Sequence, residues 1–148
     1  MVWVILLGAA GGGLTILGPW YYGLIQPSWR PPDWLFGPVW TIIFILAAYA
    51  GVRSWTRAVS APEKRMVLGL FVFNSLLNML WSLLFFTLQR PDWALMEIPL
   101  LWLSIAMLVV GLYRLDGRSS LLLLPYLVWV TFAGVLNYHI VVLNAPFG

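Results

Sequence analysis

The sequence predicts an all-α fold: a bundle of five transmembrane helices with a long Pro/Trp-rich loop between the first and second. Three observations carry this. Of the 148 residues, 62% are hydrophobic and only 9% charged, with a mean hydropathy of +0.92, whereas a soluble domain is about 25% charged. The apolar residues gather into five runs separated by short polar segments, each suited to crossing a bilayer at about 1.5 Å per residue. Between the first two runs lies "QPSWRPPDWLFGPVW", residues 26 to 40, with three tryptophans and four prolines. Each proline removes a backbone donor and fixes φ, so this segment reads as a stiff aromatic loop.

The first run, Val2 to Gly18, carries no charge. No basic residue precedes it, which argues against a cleaved signal peptide. Gly8, Gly11, Gly12 and Gly13 with Ala9 and Ala10 suit close packing against neighbouring helices. The second run, 38–56, opens on Pro38, which fits a first-turn proline, and Arg53 can snorkel from its far end. The third run covers 66–89, the fourth 93–113, and the fifth 121–143 with Pro125 in its first turn. Only the connection at 19–37 is long. No repeat or composition shift divides the chain, so 1–148 forms a single membrane domain.

Lysine and arginine set the expected orientation. Arg53, Arg57, Lys64, Arg65, Arg114 and Arg118 fall on the side of the N-terminus, against Arg30 and Arg90 on the other, six basic residues to two. The N-terminus is therefore expected in the cytoplasm, with the proline-tryptophan loop and the C-terminus on the opposite side.

Composition also excludes function classes. Cysteine is absent, so disulfides and thiolate chemistry are ruled out. The basic residues are scattered, which argues against nucleic acid as a partner. No Ser-His-Asp set, metal-ligand cluster, Walker loop or dinucleotide fingerprint is present, and no metal site is expected.

Polar and aromatic residues within the runs are the candidates for chemistry. Trp3, Trp20, Trp55 and Trp93 lie near run ends, where indoles anchor at the membrane interface. Trp40, Trp81, Trp102 and Trp129 fall inside runs, and there an indole N–H needs a partner or a cavity. For Trp102 the core or a lipid-facing position is the simpler account. Asn74, Asn78 and Ser82 recur every four residues on one helix face. They read either as interhelical hydrogen bonding or, at Asn78 one turn from Trp81, as one wall of a ligand cavity; Asn137 is a second such amide. Glu97 is the only acid well inside a run and so a functional candidate by default, but it lies four residues from the start of the fourth run, where the helix dipole and nearby water would stabilise a carboxylate, so a structural role is the simpler account. The lone His139 lacks a second candidate ligand for a metal.

Three blocks together resemble the tryptophan-rich sensory protein, or translocator protein (TspO/MBR), family. They are "WYYGLIQPSWRPPDWLFGPVWTIIF", "NMLWSLLFF" from Asn78, and "PYLVWVTFAGVLNY" from Pro125, with "WALME" opening the fourth run. The resemblance spans nearly the whole chain. It implies a five-helix bundle, often a homodimer, with a cavity capped by the first loop. It further implies ligands such as protoporphyrin IX and haem, with lipid or sterol as alternatives, and no required cofactor. A proline-stiffened loop suits such a cap because its backbone is already restricted.

Matching the family's motifs places Tyr21, Pro31 and Phe36 of the loop in the implied ligand site. Trp40 and Phe44 of the second run, Asn78 and Trp81 of the third, and Trp129, Ala133 and Leu136 of the fifth complete it. The resemblance also allows an enzymatic alternative, light- and oxygen-dependent porphyrin degradation with Trp40 and Trp129 as the catalytic pair. A third alternative is a lipid- or sterol-binding membrane scaffold. The family's proposed cholesterol motif is incomplete here, because no basic residue follows Tyr138 within five positions. The expected function is therefore a membrane protein that binds a tetrapyrrole as sensor, sequesterer or transporter.

Overall fold

The computed structural model describes residues 19–146, and these form helices and turns without a strand. The first run, 2–18, lies outside the described residues. The helices are α1 (Pro19–Tyr22), α2 (Asp33–Arg57), α3 (Ala61–Ser82), α4 (Pro91–Tyr113), α5 (Gly117–Leu122) and α6 (Leu124–Asn144), and α3 runs on into a π-helical turn at Leu83–Thr87. Among the described residues four helical stretches are long and apolar enough to cross a membrane: Trp34–Arg57, Ala61–Thr87, Pro91–Tyr113 and Gly117–Asn144.

Each helix start differs from the sequence expectation, that of α4 by only two residues, at Pro91. α2 starts at Asp33, so Pro38 sits inside the helix and not in its first turn. Pro32 at the N-cap is extended, with φ −63° and ψ 149°, so the Pro-Pro pair sets the start. The missing Pro38 N–H deprives only the Trp34 carbonyl of its partner, a loss that membrane helices tolerate. α3 begins at Ala61, ahead of its apolar run, because Ser60 and Glu63 form a capping box. Glu63 N–H donates to Ser60 Oγ at 3.3 Å, and Ser60 N–H donates back to Glu63 Oε2 at 3.2 Å. The fifth run is preceded by a separate turn of helix, α5, which takes up most of the expected loop; Pro125 occupies the first turn of α6 as its position predicts.

α4 is the central helix. Ala94, Ile98, Leu101, Ile105, Leu108 and Leu112 recur at helical spacing and are all buried. Leu101, Ile105, Leu108 and Leu112 pack with Ile43, Ala47 and Ala50 of α2, Val67 and Leu77 of α3, and Tyr126 and Val130 of α6, whereas Ala94 packs with Phe85, Leu136 and Ile140. α4 and α6 approach closely at Gly134, where an added Cβ would lie 3.2 Å from Ile98 Cγ2.

Each end of the bundle has its own tie. At the α2–α3 end, Arg53 pairs with Asp116 ahead of α5, and Ser119 Oγ donates to the same carboxylate at 2.9 Å. The hydrogen bond from Arg53 holds the Asp116 carboxyl below its ordinary value. At the other end, Asn144 near the close of α6 grips the loop before α2. Ile25 N–H donates to Asn144 Oδ1 and Asn144 Nδ2 donates to the Ile25 carbonyl, both at 2.8 Å.

Candidate functional site

An aromatic cluster forms where α2 and α6 meet. Trp40 and Trp129 contact edge to face, with ring centroids 6.3 Å apart and planes at 90°. One turn along α2, Phe44 stacks on Trp40 at 5.4 Å. Phe36 meets Trp129 at 5.7 Å, and Tyr126 meets Trp40 at 6.2 Å. The cluster reaches the loop through Phe132, which contacts Trp129 at 5.3 Å and Trp29 at 5.8 Å. Four residues expected in one site thus form one continuous chain of ring contacts, Phe36 to Trp129 to Trp40 to Phe44.

A second aromatic group sits under α1. Tyr21 contacts Phe86 at 5.8 Å, and Trp81 stacks on Phe85 at 5.2 Å. Leu136 is buried in this group. The π-helical turn at Leu83–Thr87 supplies both phenylalanines, and such turns shift the direction of side chains relative to an α-helix. Burial pushes the Tyr21 phenol up, while the Arg30 guanidinium, 5.5 Å over its ring, acts in the opposite sense. Trp81 and Phe36 join the two groups: Trp81 packs against both cores, and Phe36 packs on the second while touching Trp129 of the first. Ala133, one turn beyond Trp129, and Pro31 of the loop are half-buried.

Two polar chains run beneath the rings. Asn78 Nδ2 donates to the Tyr126 hydroxyl at 2.9 Å, which donates to Asn74 Oδ1 at 3.2 Å. Asn74 Nδ2 then donates to Ser104 Oγ at 3.0 Å, and Ser104 donates to the Leu101 carbonyl at 2.6 Å. Each proton is used once and the chain ends on backbone. In the second chain Trp81 Nε1–H donates to Asn137 Oδ1 at 3.2 Å, and Asn137 Nδ2 donates to the Pro91 carbonyl at 2.9 Å. The asparagines therefore serve interhelical bonding and also place Asn78 and Trp81 beside the aromatic residues; the two readings of their spacing are not alternatives.

Glu97 departs from its sequence expectation. It is 5% exposed, and among the described residues neither carboxyl oxygen has a hydrogen-bond partner. It is not the watered first-turn carboxylate that its distance from the run start suggested, because α4 begins at Pro91 and turns Glu97 inward. Trp102 is lipid-accessible yet still satisfied, its N–H donating to Thr131 Oγ1 at 2.9 Å. His139 is engaged by the Val135 carbonyl at 2.8 Å and by the Trp29 ring at 5.3 Å. Sequence reasoning missed Tyr126, Ser104 and Asn144. Tyr126 stood within a quoted motif, but nothing in its spacing marked its hydroxyl as the junction of two amides.

Among the described residues the arrangement offers flat aromatic walls, two satisfied polar chains and a loop tied at one end, and supplies no nucleophile–base pair. A model of the TspO/MBR family matches residues 1–143. The chain is 42% identical over 142 residues to "Tryptophan-rich protein TspO" of Chlorobaculum tepidum, covering 95% of this chain and 90% of that protein. It is 35% identical over 147 residues to "Protein CrtK" of Rhodobacter capsulatus, covering 97% and 91%. It is 37% identical over 120 residues to the human "Translocator protein", covering 80% and 71%.

Proposed function

The chain belongs to the TspO/MBR family and is an integral multi-pass membrane protein, and from that premise we propose that it binds tetrapyrroles such as protoporphyrin IX and haem. The observation that carries the reading is the right-angled Trp40–Trp129 pair, extended by Phe36 and Phe44. Indoles set edge to face present two perpendicular aromatic surfaces at one corner, and a flat apolar ligand lying against them gains contact at little ordering cost. The family resemblance implies a bundle of five transmembrane helices, and in this reading the loop before α2 caps the site on the side opposite the cytoplasm. The protein works as a homodimer, sensing, sequestering or transporting its ligand.

Purified protein titrated with protoporphyrin IX is expected to lose tryptophan emission as the porphyrin binds. Trp40→Ala combined with Trp129→Ala should weaken affinity by about 1–3 kcal/mol, the scale of a lost aromatic contact. Unchanged affinity in a folded double variant removes these residues from the site.

The contact between the two indoles also supports a second reading, porphyrin degradation in light and oxygen. Here Trp→Phe at either position keeps the apolar contact and removes the easily oxidised ring. Under illumination the variants should alter the porphyrin spectrum more slowly at retained affinity. A rate equal to that of the unaltered protein rejects catalysis and leaves binding.

A further inference from the structure

We infer that the α2–α3 end of the bundle binds the anionic headgroups of membrane phospholipids, a property that does not depend on the tetrapyrrole reading. The fold gathers there charge that the sequence scatters. Arg53, Arg57, Lys64, Arg65, Arg114 and Arg118 lie at this end with Glu63 and Asp116, six basic residues against two acidic ones. At the other end Arg30 and Arg90 stand against Asp33 and Asp92, and the formal charges cancel. Three ties draw the basic segments together. Arg53 pairs with Asp116 ahead of α5, Lys64 Nζ donates to the Trp55 carbonyl at 3.1 Å, and Ser120 Oγ of α5 donates to the Val109 carbonyl of α4 at 2.6 Å.

Both acids of this end are committed inside the fold. Glu63 Oε2 accepts the Val59 and Ser60 N–H groups at 2.8 and 3.2 Å, and the Asp116 carboxylate accepts from Arg53 and from Ser119. Among the described residues no acid pairs with Arg57, Lys64, Arg65, Arg114 or Arg118. The four arginines of this set are exposed, and Lys64 is half-buried against Trp55. Setting the orientation of the chain requires only that basic residues fall near this end. It does not require that the neighbouring acids be withdrawn from them, which leaves five cations without an internal counter-charge.

The level of these cations identifies the partner. Trp55 and Tyr113 are 44% and 70% exposed in the last turns of α2 and α4, and exposed aromatic rings at span ends mark the headgroup region. The Lys64 ammonium lies 4.4 Å over the Trp55 ring, and Arg57 follows two residues later. Arg114 directly follows Tyr113, whose ring lies against Gly117 beside Arg118. One turn deeper, exposed Val52 and Val110 offer acyl chains an apolar surface on the same helices. A phospholipid matches both features, phosphate at the cations and chains below them. Phosphatidylglycerol keeps its negative charge, whereas the ammonium of phosphatidylcholine cancels it, so the surface should discriminate between the two.

The test places the full chain in phosphatidylcholine vesicles and compares, by electron spin resonance, the association of spin-labelled phosphatidylglycerol and phosphatidylcholine. At low salt phosphatidylglycerol should be favoured about fivefold, the attraction that one basic residue adds at an anionic surface. The preference should fall towards parity in about 1 M salt, where charges are screened within a few ångströms. Arg114→Gln with Arg118→Gln, and separately Arg57→Gln with Arg65→Gln, should each lower it by about half, because the remaining cations still act. Lysine at the same positions should retain it, since charge and not the guanidinium fork is used. Neutralising the balanced pair at the other end, Arg90→Gln with Asp92→Asn, should leave it unchanged. Equal association of the two lipids overturns the inference, as does a preference that neither glutamine pair moves or that the lysine variants lose. A preference that follows the Arg90–Asp92 pair assigns it to the wrong end and also overturns it. Inorganic phosphate that abolishes the preference at constant ionic strength would reveal a site for free anions in place of headgroups. Should one glutamine pair fail to fold, the other pair and the salt series decide.

Discussion

Replacing Asn144 by alanine tests whether the loop before α2 works as a fastened cap. The Asn144 amide joins Ile25 through two hydrogen bonds of 2.8 Å, one to each backbone group, and also reaches the Ile140 carbonyl at 2.8 Å. Ile25 is 58% exposed, so its freed N–H and carbonyl can find water and little desolvation penalty is added. Two net hydrogen bonds at the lower end of their range total about 1–2 kcal/mol. That corresponds to an increase of roughly fivefold to thirtyfold in the population of the open loop.

Bound porphyrin displaced in a stopped-flow experiment should leave Asn144→Ala faster by about the same factor, with association little changed. The Ile25 amide should exchange its hydrogen correspondingly faster. Asn144→Asp keeps the acceptor for Ile25 N–H and loses the donor, so it should fall between the two proteins. The midpoint of global unfolding should hardly move, because the tie lies at the rim of the bundle. Unchanged release and unchanged Ile25 exchange in Asn144→Ala would refute the cap.

Other perturbations probe the polar chain, the basic end and the orientation. Tyr126→Phe removes the hydroxyl that links Asn78 to Asn74 and should lower stability by about 1–3 kcal/mol, the cost of buried amides left short of partners, as read from thermal unfolding in detergent. Arg53 holds the Asp116 carboxyl below its ordinary value of 3.8, so the folded protein binds that proton more weakly than the unfolded chain. The resulting stabilisation is complete above that value and is lost as pH falls through the lower folded one; below it, unfolding temperature should fall more steeply with acid than in Asp116→Asn. For orientation, Ser28→Cys should react with an impermeant maleimide added outside intact cells, and Val59→Cys, which is 90% exposed at the α2–α3 turn, should not. The reverse labelling would invert the proposed topology.

Much of the fold was legible because membrane spans depend on composition over long windows, and the second to fifth runs each became a helix. Starts were less legible than spans. Asp33 and Ala61 open their helices through a proline pair and a capping box, both polar or turn signals lying outside the hydrophobic run. Reading "SAPE" as a cap would have moved the start of α3 correctly; reading "PPDW" as a helix start would have done the same for α2. The π-helical turn had no such sign. It depends on how Phe85 and Phe86 pack against Trp81 and Tyr21, and that contact joins residues far apart in the chain.

The site divides along the same line. Phe36, Trp40, Phe44 and Trp129 could be named from motif blocks, and i, i+4 spacing correctly put Trp40 beside Phe44. Spacing gives the face of a helix and says nothing of what faces it. Asn74 and Asn78 share one face, but their common partner is a tyrosine hydroxyl on α6. Glu97 shows the consequence most clearly. From the sequence its nearness to a helix start implied water and a stabilising dipole; in the fold the inward stripe of α4 carries it into the core with Ala94 and Leu101. The two environments favour different chemistry from one carboxyl. Near water it would only stabilise a helix end, whereas inside the bundle it needs a donor that the described chain does not provide.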